Sequence, residues 1–161
     1  MHIVAWLMEG TWEPCVDAAA EYPDAEVTLL YVVDPRLAAG ARDMRSGLLG
    51  RGSWGRDPGS EIEEALTAAG NAILQAAESR LGRRRVVGRL RYGRPEREAV
   101  AACADADLLI VARDGDRRRL GPHSLGPHTR FAIDHAPCRV LIIWPDQAPA
   151  LATIPPPPDR H

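Results

Sequence analysis

The sequence predicts an α/β protein built on a single doubly wound, five-stranded parallel sheet with helices on both faces. Three observations predict it: five short apolar runs, helical periodicity in the segments between them, and strict alternation of the two along 161 residues. That length suits one domain, because it buries a full core but is short for two.

The strand candidates are His2 to Leu7, Glu26 to Val33, Val86 to Tyr92, Leu108 to Ala112 and Arg139 to Trp144. Four of them are nearly continuous in Val, Ile, Leu or aromatics, as strands covered on both faces are. Val86 to Tyr92 instead alternates with Arg89 and Arg91, the pattern of an edge strand. Among the helices, Ser60 to Leu81 repeats Ile62, Leu66, Ala69, Ile73 and Leu81 along one face. Ser60 and Glu63 have capping-box spacing, and Gly82 follows the last periodic residue. Shorter helices run from Thr11 as N-cap through Ala20, from Pro95 through Ala104, and from Pro127 through His135. Right-handed crossovers between parallel strands then place any ligand at the strand C-terminal ends, near the switch in strand order.

Residues 1–145 are expected to form this domain, interrupted by a long Gly- and Arg-rich loop over 34–59 with a short helix around Ala38 to Met44. Residues 146–161 contain Pro155 to Pro158 and read as a Pro-rich disordered tail.

The 20 basic and 22 acidic residues leave a formal charge of −2, which supplies no global field for nucleic acid or an anionic membrane. Any anion site must be local. All 20 basic residues are arginine, compatible with phosphate recognition and equally with compositional bias. Cys15, Cys103 and Cys138 are odd in number and widely spaced, so neither a disulfide framework nor a zinc motif is implied. The opening MHIVAWLMEG has no basic region and too short an apolar run for a signal peptide, so a cytoplasmic location is expected.

The stretch from Leu108 to Trp144 carries the chemistry: a strand, a loop rich in Gly and Arg, a helix start and a further strand. A loop feeding a helix N-terminus offers backbone N–H groups to an anion, and Arg113, Arg117, Arg118 and Arg119 would add charge. The plain alternative is a solvated basic loop offset by Asp114 and Asp116. Ser124, His128 and Asp134 lack a nucleophile-elbow motif and do not make a hydrolase triad. His123, His128 and His135 lack metal-ligand spacing. Gly47, Gly50 and Gly52 do not join a strand to a helix as a dinucleotide fingerprint does.

The same stretch is similar to the C-terminal signature of the universal stress protein family. There a strand ends in glycine, a second glycine follows after two residues, and a third, with serine or threonine, opens the last helix ahead of His-Ala-Pro-Cys. Here Ala112, Gly115, Gly126 and Pro127 stand at those places, followed by His135, Ala136, Pro137 and Cys138. Tyr92 to Pro95, Ala106 to Val111 and Leu30 to Pro35 look like the family's turn, fourth strand and second-strand end. The resemblance covers residues 2 to 144 apart from the 34–59 loop.

It implies a Rossmann-like, adenine nucleotide alpha hydrolase-like fold and a stress-response or signalling role without catalysis. It also implies an adenine nucleotide ligand, ATP or AMP, with or without magnesium, and a homodimer formed through the last strand at Val140 to Trp144. By the same resemblance Val32 would meet adenine through its backbone, and Gly115 would let ribose or phosphate approach. Gly126, with Pro127, His128 and Thr129, would hold phosphates at the helix start, with Arg113 adding charge. Glu9 would accept a hydrogen bond from adenine or ribose, or else stand as a solvated loop residue.

Three departures bear on the phosphate cradle. Ala112 adds a Cβ where the family has glycine. Pro127 removes a hydroxyl and an N–H. Ten residues separate Gly115 from Gly126 where the family usually has nine. The expectation therefore divides between a nucleotide-binding module and a homodimer whose nucleotide site is lost and which acts through protein contacts. Slow nucleotide hydrolysis has no recognisable base to perform it.

Overall fold

In a computed structural model that describes residues 1–46, 58–82 and 85–156, five parallel strands form one sheet. They are β1 (His2–Leu7), β2 (Glu26–Val33), β3 (Val86–Tyr92), β4 (Leu108–Ala112) and β5 (Arg139–Ile143), in spatial order β3-β2-β1-β4-β5. The order reverses between β1 and β4, which pair through Ile3 with Leu108, Val4 with Leu109 and Ala5 with Ile110. The helices are α1 (Trp12–Ala20), α2 (Pro35–Ser46), α3 (Pro58–Leu81), α4 (Pro95–Ala102) and α5 (Pro127–His135).

Strand side chains alternate between two cores. Ile3, Ala5, Leu7, Leu29 and Ile110 pack with Cys15, Val16, Leu74 and Ala77 under α1 and α3. Val4, Trp6, Leu30, Leu109 and Val111 pack with Ala99, Cys103 and Ala132 under α4 and α5. Both faces are apolar because both are covered, which explains the lack of period-2 polarity in β1, β2 and β4. As its arginines predicted, β3 is an edge, with Val87 and Tyr92 half-exposed. The three cysteines are free. Burial pushes the Cys15 and Cys103 thiols up to about 12, so neither is a ready nucleophile.

Four expectations are corrected. The 34–59 segment contains a twelve-residue helix, α2, against α3; proline at its first position suits a helical first turn, and residues 47–57, with Trp54 and the glycine cluster, lie outside those described. α3 starts at Pro58, so Ser60 and Glu63 fall within the helix rather than forming its capping box. Thr11 occupies the N-cap of α1, but its hydroxyl turns back to the Met8 carbonyl instead of capping the helix. The segment after Pro145 does not hang free up to residue 156. Asp146 pairs with Arg117 at 2.9 Å, a short 3-10 turn forms at Leu151–Thr153, and the Leu120 N–H donates to Thr153 Oγ1 at 3.1 Å. These contacts lay the segment along the 117–121 loop, with proline satisfied in extended chain that needs no ladder of hydrogen bonds. At the far end of α3, Gly82 closes the helix as expected, with φ +59 and its N–H on the Glu78 carbonyl.

Leu109 is fully buried, whereas Val87 is 53 % exposed on the edge. Leu109→Ala should cost about 2–5 kcal/mol and Val87→Ala less than about 0.5 kcal/mol in urea unfolding. Equal losses at the two positions would contradict the two-core arrangement.

Candidate functional site

At the C-terminal ends of β1 and β2 the chain leaves a cavity of about 150 Å³, lined by Trp6, Leu7, Met8, Glu9, Tyr31, Val32, Pro95, Asp114 and His128. Its position follows from topology: β1 and β2 deliver Trp6 to Leu7 and Tyr31 to Val32 at one height, while the chain leaving β4 supplies Asp114 from across the switch point. The walls are an indole, a phenol ring and aliphatic side chains. Two carboxylates, of Glu9 and Asp114, and the imidazole of His128 complete the lining. Burial raises the Tyr31 phenol, and the Glu9 carboxylate adds to that rise. Larger hollows of about 520–640 Å³ open over the outer flank of α3, at the Met1 and Arg139 end of the sheet, and beside β3. They do not converge on the switch point.

His128, in the first turn of α5, is held by Glu96 in the first turn of α4: Nδ1 lies 2.7 Å from Glu96 Oε2. A carboxylate only accepts, so the proton sits on Nδ1 and Nε2 is the nitrogen available to a ligand. Glu96 is 5 % exposed. Burial pushes its carboxyl up, but its own backbone N–H, His128 and Arg94 outweigh that and hold it below the ordinary 4.5. Arg94 reaches the other oxygen at 3.0 Å.

The loop from Arg113 to Gly126 folds onto itself. The Gly115 N–H donates to the Ser124 carbonyl at 3.0 Å and the Asp116 N–H to the His123 carbonyl at 2.8 Å. A Cβ on Gly115 would run into the His123 carbonyl oxygen and lie 2.9 Å from the Ser124 carbonyl carbon, so glycine is required here by another part of the backbone. Gly126 shows a second closure. Its N–H donates to Asp114 Oδ1 at 2.7 Å, so the chain's own carboxylate sits at the N-terminus of α5.

Of the residues singled out from sequence, Glu9, Val32 and His128 line the cavity. Ala112, fully buried at the end of β4, belongs to the core beneath α1. Gly115, Gly126 and Pro127 shape the loop and the helix start beside the cavity without lining it. Thr129 is fully buried, its hydroxyl without a hydrogen-bond partner. Arg113 turns away: its guanidinium lies 4.6 Å from the Trp144 ring centroid and donates to Ser124 Oγ. Arg117 pairs with Asp146 and Arg118 with Asp116, so three of the four loop arginines are engaged within the chain. Ser124 Oγ donates to the Gly121 carbonyl at 2.6 Å, and His135 Nδ1 meets the Phe131 carbonyl at 2.8 Å, contacts of loop and helix structure rather than of a triad. Among the described residues no cluster of His, Cys, Asp and Glu could hold a metal ion, and no helix is long and apolar enough to cross a membrane.

Sequence reasoning missed Asp114, Glu96 and the Trp6, Tyr31 and Met8 walls. The spacing from Asp114 to Gly126 carries no regular period, and only the folded loop brings them together.

A family model described as the Universal stress protein family matches residues 12–143. No curated protein sequence matches the chain. Among solved structures, the universal stress protein UspA from Lactobacillus plantarum superposes with a TM-score of 0.63 at 21 % identity, over 89 % of this chain and 97 % of that one. A universal stress protein in complex with cAMP gives 0.61 at 18 % identity, over 91 % and 98 %. A family member from Arabidopsis thaliana with AMP bound gives 0.50 at 14 % identity, over 96 % and 95 %. At these identities the likeness establishes the fold.

The sign of the Glu96 shift sets a pH dependence. A carboxyl held low in the folded state stabilises it above the unfolded value near 4.5, and that contribution is lost as pH falls through the folded value. The urea midpoint of the wild type should therefore fall more steeply on acidification below pH about 4.5 than that of Glu96→Gln, the two converging in acid. Parallel curves would mean that the Glu96 and His128 contact contributes nothing to stability.

Proposed function

Because the chain belongs to the universal stress protein family, we propose that it is a stress-response or signalling module that binds an adenine nucleoside or nucleotide in the cavity at the ends of β1 and β2. The observation that carries this reading is the cavity itself. It sits at the switch point, its walls are aromatic and aliphatic, and Glu9, Asp114 and His128 supply its polar groups. A space of about 150 Å³ holds one flat ring system rather than a whole nucleotide, so the base would be enclosed and the sugar would project toward Asp114 and His128. The structures bound to cAMP and AMP among its fold relatives favour the same ligand class. The role is binding; no residue is assigned a catalytic step.

Calorimetric titration with adenosine, AMP, cyclic AMP and ATP, with and without magnesium, tests it. At least one should bind saturably at one per chain, and Val32→Phe, which fills the ring position, should weaken that binding tenfold or more. Silence from all of them would remove the adenine reading.

The second part of the proposal is a homodimer through β5. This strand is an edge, its outer backbone groups are unpaired within the sheet, and its side chains from Val140 to Ile143 are only partly covered. Val140→Glu or Ile142→Glu should give a folded monomer by sedimentation and circular dichroism. A variant that stays dimeric would take β5 out of the interface.

A further inference from the structure

The N-terminus of α5, beside the cavity, is already occupied by one of the chain's own carboxylates. Asp114 Oδ1 takes the Gly126 N–H at 2.7 Å, and a Cβ built on Gly126 would lie 2.6 Å from Asp114 Oδ2, so the carboxylate is packed directly against the start of α5. Pro127 has no N–H to offer a second anion. Three of the four loop arginines that would compensate a phosphate are committed elsewhere: Arg113 to Trp144 and Ser124, Arg117 to Asp146, Arg118 to Asp116. His128 lines the cavity but is held by Glu96, while Glu9 adds a second carboxylate to the same lining as Asp114.

We infer that Asp114 is a specificity-determining residue which stands in for a ligand phosphate and makes the cavity select an unphosphorylated nucleoside over its phosphate esters. The inference rests on the adenine reading of the cavity. A carboxylate is acceptor-only, so Asp114 and Glu9 suit the hydroxyl donors of a free ribose, as acidic residues do in dinucleotide folds. A 5′-phosphate would have to displace Asp114 from Gly126 and would meet like charge as it did so. Neutral and cationic ligands escape that penalty. Chain and ligand therefore compete for the same backbone donor, and the chain's own group is always at hand.

The test is calorimetry of adenosine and AMP against the full chain and its Asp114→Ala and Asp114→Asn variants. The wild type should bind adenosine at least tenfold more tightly than AMP. Asp114→Ala should move the ratio of the two affinities at least tenfold toward AMP. Asp114→Asn, which keeps an acceptor for Gly126 but loses the charge, should move it part of the way. Wild-type binding of AMP as tight as adenosine, or a ratio unmoved by both variants, would overturn the inference. A second arm needs no nucleoside: the Gly126 amide signal is followed by NMR as inorganic phosphate is added. It should shift in Asp114→Ala and stay fixed in the wild type. A wild-type signal that shifts, or a variant signal that does not, overturns the role of Asp114 whether or not adenosine binds. Failure of adenosine and AMP alone, with this second arm intact, would instead count against the adenine reading.

Discussion

Burial of the sheet on both faces pushes the charged chemistry of this protein toward the rim. β1 and β4 at its centre carry apolar side chains on each side, and their backbone donors and acceptors are taken up by neighbouring strands. Within those strands only Trp6 and Leu7, at the end of β1, reach the cavity. The polar groups of the cavity lie beyond the strand ends, where the reversal of strand order parts the crossovers.

The rim, in turn, is organised by internal pairing. Glu96 orients His128, Asp114 occupies the start of α5, Arg113 lies over Trp144, and the Gly115 and Asp116 amides close the loop on the His123 and Ser124 carbonyls. Each pairing satisfies a group that a ligand would otherwise have to satisfy. At such a rim a ligand would gain only where it outcompetes a contact already made at high effective concentration.

Much of this was legible in the sequence. The strands could be read because both-face burial leaves continuous runs such as IVAWL and LLIVA, and the alternation of Arg89 and Arg91 marked β3 as an edge. Boundaries were less legible. Proline fits a helix start as well as a loop, so the true starts of α2 at Pro35 and α3 at Pro58, and the full length of α2, escaped a reading based on apolar periodicity. At the site, Glu9, Val32 and His128 could be carried to the cavity by resemblance. Gly115 and Gly126 could be found as well, but the groups that crowd them could not. Those groups are Asp114 and the carbonyls of a returning loop, brought close by the fold over ten or so residues without a repeat. The loop arginines illustrate the same limit: their charge was visible, and their engagement with Asp116, Asp146 and Trp144 was not.

The segment after β5 gives this arrangement one more property. Because Asp146 and Thr153 hold Arg117 and Leu120, the loop that borders the cavity is anchored from outside the sheet, by chain that contributes almost nothing to either core. Changes at Asp146 or Thr153 would loosen that tether at little cost to either core. The stiffness of the cavity's border is thus adjustable separately from the stability of the fold, and it is set by residues that a comparison of cores would pass over.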